Sequence, residues 1–149
     1  MLTNRLELKK QCLDSINIKE ENLLKEEKNI KMYMETINKR IGELELKQAL
    51  LCRYINIDSG TLSDFLSGYH RKHKVPLRYA FWLVVAISES YDDARMLMGQ
   101  SGNKLTCVTQ ELCIAEAIFE CFSPYNLQPS EKLEIVYELV YENEFMCFL

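Results

Sequence analysis

Glycine and proline are scarce in this sequence, five and three in 149 residues. Folds made of many short strands need those residues at their turns. Their scarcity, beside abundant Leu, Ile, Glu and Lys, argues against a sandwich and for an all-α chain joined by short loops. Long apolar runs are also missing. The longest, "YAFWLVVAI" from Tyr79 to Ile87, falls far short of the roughly 18 residues of a membrane span. The opening "MLTNRLELKKQC" is charged from Arg5 onward and lacks the apolar core of a secretory leader. A soluble, cytoplasmic chain is the expectation. The six cysteines, at 12, 52, 107, 113, 121 and 147, contain no CxxC pair, so they are expected to be reduced and to pack as small hydrophobes. His70 and His73 in "HRKH" have no cysteine nearby, and the acidic surroundings of Cys107, Cys113 and Cys121 disfavour redox sensing. No metal or other cofactor is expected. The chain has no glycine-rich phosphate loop, no HExxH and no nucleophile elbow, and Glu116 and Glu120 share a helix face that nothing else joins. The expectation is that this is not an enzyme.

The net charge of −4 conceals an asymmetry. Residues 1–45 carry nine basic and nine acidic side chains and balance. Residues 46–90 carry six basic and three acidic ones, a net of +3, whereas residues 91–149 carry three and ten, a net of −7. Four of the six middle cations lie between 71 and 78, in "RKHKVPLR". The chain is therefore read as three segments: a helical N-terminal one (1–45), a basic centre (46–90) and an acidic helical extension (91–149).

In the first segment, Asn17 with Glu20 three residues on predicts a helix starting at Ile18. Along it, Leu23, Ile30, Ile37 and Leu44 recur every seven residues with Met34 and Ile41 between them, and Glu27 interrupts the pattern. Such a stripe suits the chain's own core or, as the alternative, a homodimer seam. In the centre, Leu77–Ile87 is apolar nearly all round behind Pro76, which predicts a buried helix. Ser90 and Asp93 open the next helix, with Gly99 as its stop. Two amphipathic helices follow. Leu112, Ala115, Ile118, Phe119 and Phe122 share one face of the first, and Leu133, Val136, Tyr137 and Val140 share one face of the second, which Ser130 can cap.

The stretch "LLCRYINIDSGTLSDFLSG", residues 50–68, carries the pattern of two helices crossing at a tight turn. Leu51 and Cys52 offer a large and then a small apolar side chain, and Asn56 is a residue that tolerates a positive φ. Asp58 is an N-cap, with Ile57 and Leu62 as a hydrophobic staple. Leu62, Phe65 and Leu66 turn inward, Ser59, Gly60, Ser63 and Asp64 outward, and Gly68 ends the helix. Through these residues, with Gln48, Ile55 and Thr61, positions 46–87 resemble the lambda-repressor-like, Xre-type helix-turn-helix domains of bacteria and phages. The match covers a little over a quarter of the chain. Residues 92–140 resemble more loosely a C-terminal helical extension carried by some such proteins in Gram-positive bacteria.

The resemblance implies a lambda-repressor-like bundle in which Gln48 bonds a phosphate and Ser59, Gly60, Ser63 and Asp64 lie against base edges. The basic loop 69–78, through Arg71, Lys72, Lys74 and Arg78, would grip the backbone of double-stranded DNA. The expected function is a transcriptional regulator, with a homodimer through Leu23, Ile30, Met34, Ile37, Ile41 and Leu44. The helix meant to read bases has no arginine or lysine. The alternative is therefore a non-catalytic interaction factor on the same scaffold, an antitoxin or a phage-encoded inhibitor of host defence, meeting a protein partner with its acidic tail.

Overall fold

The chain's elements are α1 (Leu2–Glu43), α2 (Gln48–Ile55), α3 (Ser59–Leu66), α4 (Leu77–Ile87), α5 (Tyr91–Gln100), α6 (Gln110–Phe122), α7 (Pro129–Glu142) and a closing 3-10 turn, Met146–Phe148. The computed structural model describes residues 2–68 and 71–149, the side chains of Leu2 and Thr3 excepted. Among them there is no strand, and no helix is long and apolar enough to cross a membrane.

The most apolar segment organises the rest. Every residue of α4 from Ala80 to Ile87 is buried, and α1, α2, α5, α7 and the closing turn all pack on it. A helix without a polar face can be stable only when covered on all sides. Its one tryptophan finds a partner within the core. The Trp82 indole N–H donates to the Phe148 carbonyl at 2.7 Å, and the Phe148 ring lies 4.2 Å from that of Phe81. Leu133, Val136 and Val140 of α7 and Ala115, Ile118 and Phe119 of α6 are buried as their spacing predicts, while Tyr137 stays 38% exposed.

The long first helix departs from its predicted start. It begins at Leu2, not Ile18, because residues 2–17 contain no glycine or proline. The Asn17 and Glu20 signature therefore sits inside a helix that propagates through it. Its stripe also divides. Ile30, Met34 and Ile37 are buried in the chain's own core and Ile41 packs against it, whereas Leu23 and Leu44 are 52% and 45% exposed. A homodimer seam through all six positions is thereby corrected, since three of the side chains already have intramolecular partners.

Polar ties hold α1 to the body. Arg40 and Asp93 form a two-pronged ion pair from α1 to α5, and Asp93 also accepts from the Glu89 N–H at 3.0 Å. Asn38 donates from α1 to the Leu66 carbonyl at 2.9 Å. That bond satisfies an orphan carbonyl at the end of α3, and the helix stops without Gly68 entering the left-handed region. Two other termini differ from expectation. Gln128, not Ser130, stands at the N-cap of α7, because Pro129 is suited to the first helical position. α5 runs through Gly99 to Gln100, and the reversal falls at Gly102, φ +92°.

Candidate nucleic-acid interface

The turn between α2 and α3 follows its local chemistry. Asn56 ends α2 in the left-handed conformation (φ 63°, ψ 54°), and its N–H reaches the Cys52 carbonyl at 2.9 Å. Asp58 then accepts from the Thr61 N–H at 2.7 Å and caps α3. That bond is the largest of the influences that hold the Asp58 carboxyl below its ordinary range. Leu51, Tyr54 and Ile55 of α2 and Leu62, Phe65 and Leu66 of α3 are buried. Ser59, Gly60, Ser63 and Asp64 are exposed along the outer side of α3, and Gln48 is exposed in the first turn of α2. Asp64 is the only charged side chain on α3.

The cations that follow are close in sequence but differ in environment. Tyr69 and His70, the start of the basic loop 69–78 and one half of the His70 and His73 pair, lie outside the described residues. The Arg71 guanidinium lies 5.5 Å from the Phe65 ring and donates to the loop's own carbonyls, Nε to His73 at 3.2 Å and Nη2 to Lys74 at 3.4 Å. Arg71 is thus fixed beside α3. Lys72 is exposed and makes no bond among the described residues. Lys74 is exposed in different surroundings. A Cβ on Gly102 would stand 2.5 Å from Lys74 Cβ, and Lys74 shares a recess with Glu26, Asn29 and Lys104, beside α1. Arg78 is half-buried in the first turn of α4, its Nε buried without a hydrogen-bond partner among the described residues.

No family model, no curated protein and no solved structure matches this chain.

The loop's far end is anchored. The Val75 N–H donates to the Ser101 carbonyl at 2.9 Å, and Asn103 Nδ2 donates to the Val75 carbonyl at 2.8 Å. Both Ser101 and Asn103 are buried, so the acidic extension fixes the end of the basic loop. Sequence reasoning missed Lys47. It is exposed at the N-cap of α2 and its side chain bonds none of the helix's free N–H groups, so donors and a cation stand together beside Gln48. A lone lysine before a helix carries almost no sequence signal. Arg53, exposed in the last turn of α2 with its guanidinium 5.7 Å from the Tyr54 ring, was also unread. The described residues hold two ion pairs, Lys39 with Glu43 and Arg40 with Asp93. Lys47, Arg53, Lys72 and Arg78 are therefore without a carboxylate partner among them. Away from this face, Cys107 is pushed up to about 12, first by its hydrogen bond with Cys113 and then by burial and Glu116. That shift disfavours the thiolate a redox sensor needs.

Proposed function

We propose that this protein binds double-stranded DNA mainly through backbone phosphates, as a transcriptional regulator built on a lambda-repressor-like helix-turn-helix core. The observation that carries the reading is the α2–α3 unit, with left-handed Asn56 and capping Asp58. It leaves an outer face of small residues on α3, while Arg71 is fixed beside that helix. Ser59, Gly60 and Ser63 are small enough to let the α3 backbone approach a groove floor, but they lack the two-pronged donors that discriminate bases best. The open N-terminus of α2, with Lys47 and Gln48, suits a phosphate on one flank. Arg71 and Lys72 suit one on the other. Lys74, which borders the recess beside α1, contributes less.

Titration of labelled random duplex across salt concentrations tests this. Each neutralised phosphate contributes about 0.9 to the slope of log affinity against log salt. Lys72→Glu should flatten that slope and weaken all duplexes alike, and Lys74→Glu should do so less. Asp64→Asn should tighten nonspecific binding by removing the one charge on α3. Wild-type protein that retards no duplex at low salt refutes the reading.

One observation favours a second reading, a non-catalytic interaction factor. α7 exposes Ile135, Leu139 and Tyr141 among Glu131, Glu134, Glu138 and Glu142. A mixed acidic and apolar face of this kind suits a basic protein partner, as an antitoxin or an inhibitor of host defence would require. Capture of such a partner by protein that ignores DNA would select this reading.

A further inference from the structure

Because α1 starts at Leu2, its apolar stripe continues well upstream of the part that the core covers. Counting back by heptads from Ile30 and Met34, the same seam passes through Glu27, Leu23, Glu20, Ile16, Leu13, Lys9 and Leu6. Leu6, Leu13, Ile16 and Leu23 are 69%, 61%, 49% and 52% exposed, and residues 4–26 are exposed throughout. One face of one helix is thus buried against the body in its second half and uncovered in its first.

The charged residues that interrupt the uncovered half identify what fits it. In a parallel pair of copies, Lys9 would meet Lys9 and Glu20 would meet Glu20 in the seam. Reversing one copy about a twofold axis between residues 14 and 15 gives different layers. Leu6 then meets the partner's Leu23, Leu13 meets the partner's Ile16, and Lys9 meets the partner's Glu20. Between residues 6 and 23 each flaw in the stripe is matched by the opposite charge, and Glu27, the next seam position, lies beyond that span. The flanking positions agree, since the same register sets Arg5 beside the partner's Glu26. From residue 6 to residue 23 the seam is about 26 Å long at 1.5 Å per residue.

We infer that residues 5–26 of α1 pair with those of a second copy as an antiparallel two-helix coiled coil, with Lys9 and Glu20 crossed between the copies. The occupant is a second copy because the complementarity is that of the segment with its own reversal. The pairing is independent of the DNA-binding reading and is measured without DNA.

The experiment is sedimentation of the full chain at micromolar concentration, with Trp82 emission as the check on the body. Wild type should sediment as a dimer. Leu13→Asp with Ile16→Asp should sediment as a monomer with unchanged Trp82 emission, because neither side chain belongs to the core. Lys9→Glu or Glu20→Lys alone turns both crossed pairs into like-charge pairs and should weaken the dimer about tenfold. Combining the two restores opposite charges and should recover wild-type affinity. A monomeric wild type, or a dimer that survives the two aspartates, overturns the pairing. A combined exchange no stronger than its parents overturns the antiparallel register.

Discussion

Removing the Asp93 carboxylate should cost this protein about 3 kcal/mol. The side chains of Arg40 and Asp93 are only 19% and 13% exposed, so the pair exchanges charge and hydrogen bonds largely out of water. Asp93→Ala deletes both prongs to Arg40 and the acceptor for the Glu89 N–H, and it leaves the guanidinium only the Ile87 carbonyl at 3.4 Å. Breaking a buried pair from one side costs ~3–5 kcal/mol, and the residual exposure places this one at the lower end. For a chain of this size each kcal/mol lowers the melting midpoint by about 2–4 °C, giving a fall of about 6–12 °C in a melt followed by Trp82 fluorescence. A fall of less than about 2 °C refutes the reasoning. The pH dependence has a definite sign. Burial pushes the Asp93 carboxyl up, but the bonds from Arg40 and the Glu89 N–H, with the charges of Arg40 and Lys132, outweigh it and leave the group below its ordinary range. The unfolded chain therefore binds the proton more readily. The stabilisation should be complete above the unfolded value near 4 and lost as pH falls through the lower folded value. A double-mutant cycle of Arg40→Ala and Asp93→Ala should return about 2 kcal/mol of coupling, whereas Arg40→Met with Asp93→Leu should be close to neutral.

Gly102→Ala should destabilise by at least ~2 kcal/mol, since a Cβ there meets Lys74 Cβ at 2.5 Å and φ is +92°; hydrogen exchange at Val75 should rise with it. Asp58→Ala should cost about 1 kcal/mol in denaturant unfolding through loss of the α3 cap, while Ser130→Ala, one residue inside α7, should change the midpoint little. All six cysteines are free, so alkylation of unreduced protein under denaturing conditions should add six labels, and a deficit of two refutes this.

What could be read in advance was what short-range chemistry decides. Asn56 and Asp58 were legible because a left-handed turn and an N-cap are properties of a few adjacent residues. α4 was legible because eleven nearly unbroken apolar residues admit no other use. The start of α1 was not, because a capping signature stops a helix only if the residues before it resist helix, and these do not. The end of α3 at Gly68 was legible, but the donor to its carbonyl was not, because Asn38 is 28 residues away. The candidate face was legible in outline. Four cations in eight residues suggested one phosphate grip, yet Lys74 borders a recess beside α1 while the Arg71 guanidinium lies 5.5 Å from the Phe65 ring. Adjacency in sequence does not give long side chains the same surroundings.

The bond from Trp82 to the Phe148 carbonyl spans 66 residues, and it bears on synthesis. The ribosome delivers α4 long before the segment that satisfies its indole and covers Phe81. At ~5–20 residues per second that delay is about 3–13 s. Throughout it, an apolar helix lacks its α7 and 3-10 covering and is open to chaperones or to other nascent chains. A pause in translation between residues 88 and 148 should therefore cost soluble yield, and slowing the ribosome before residue 77 should not.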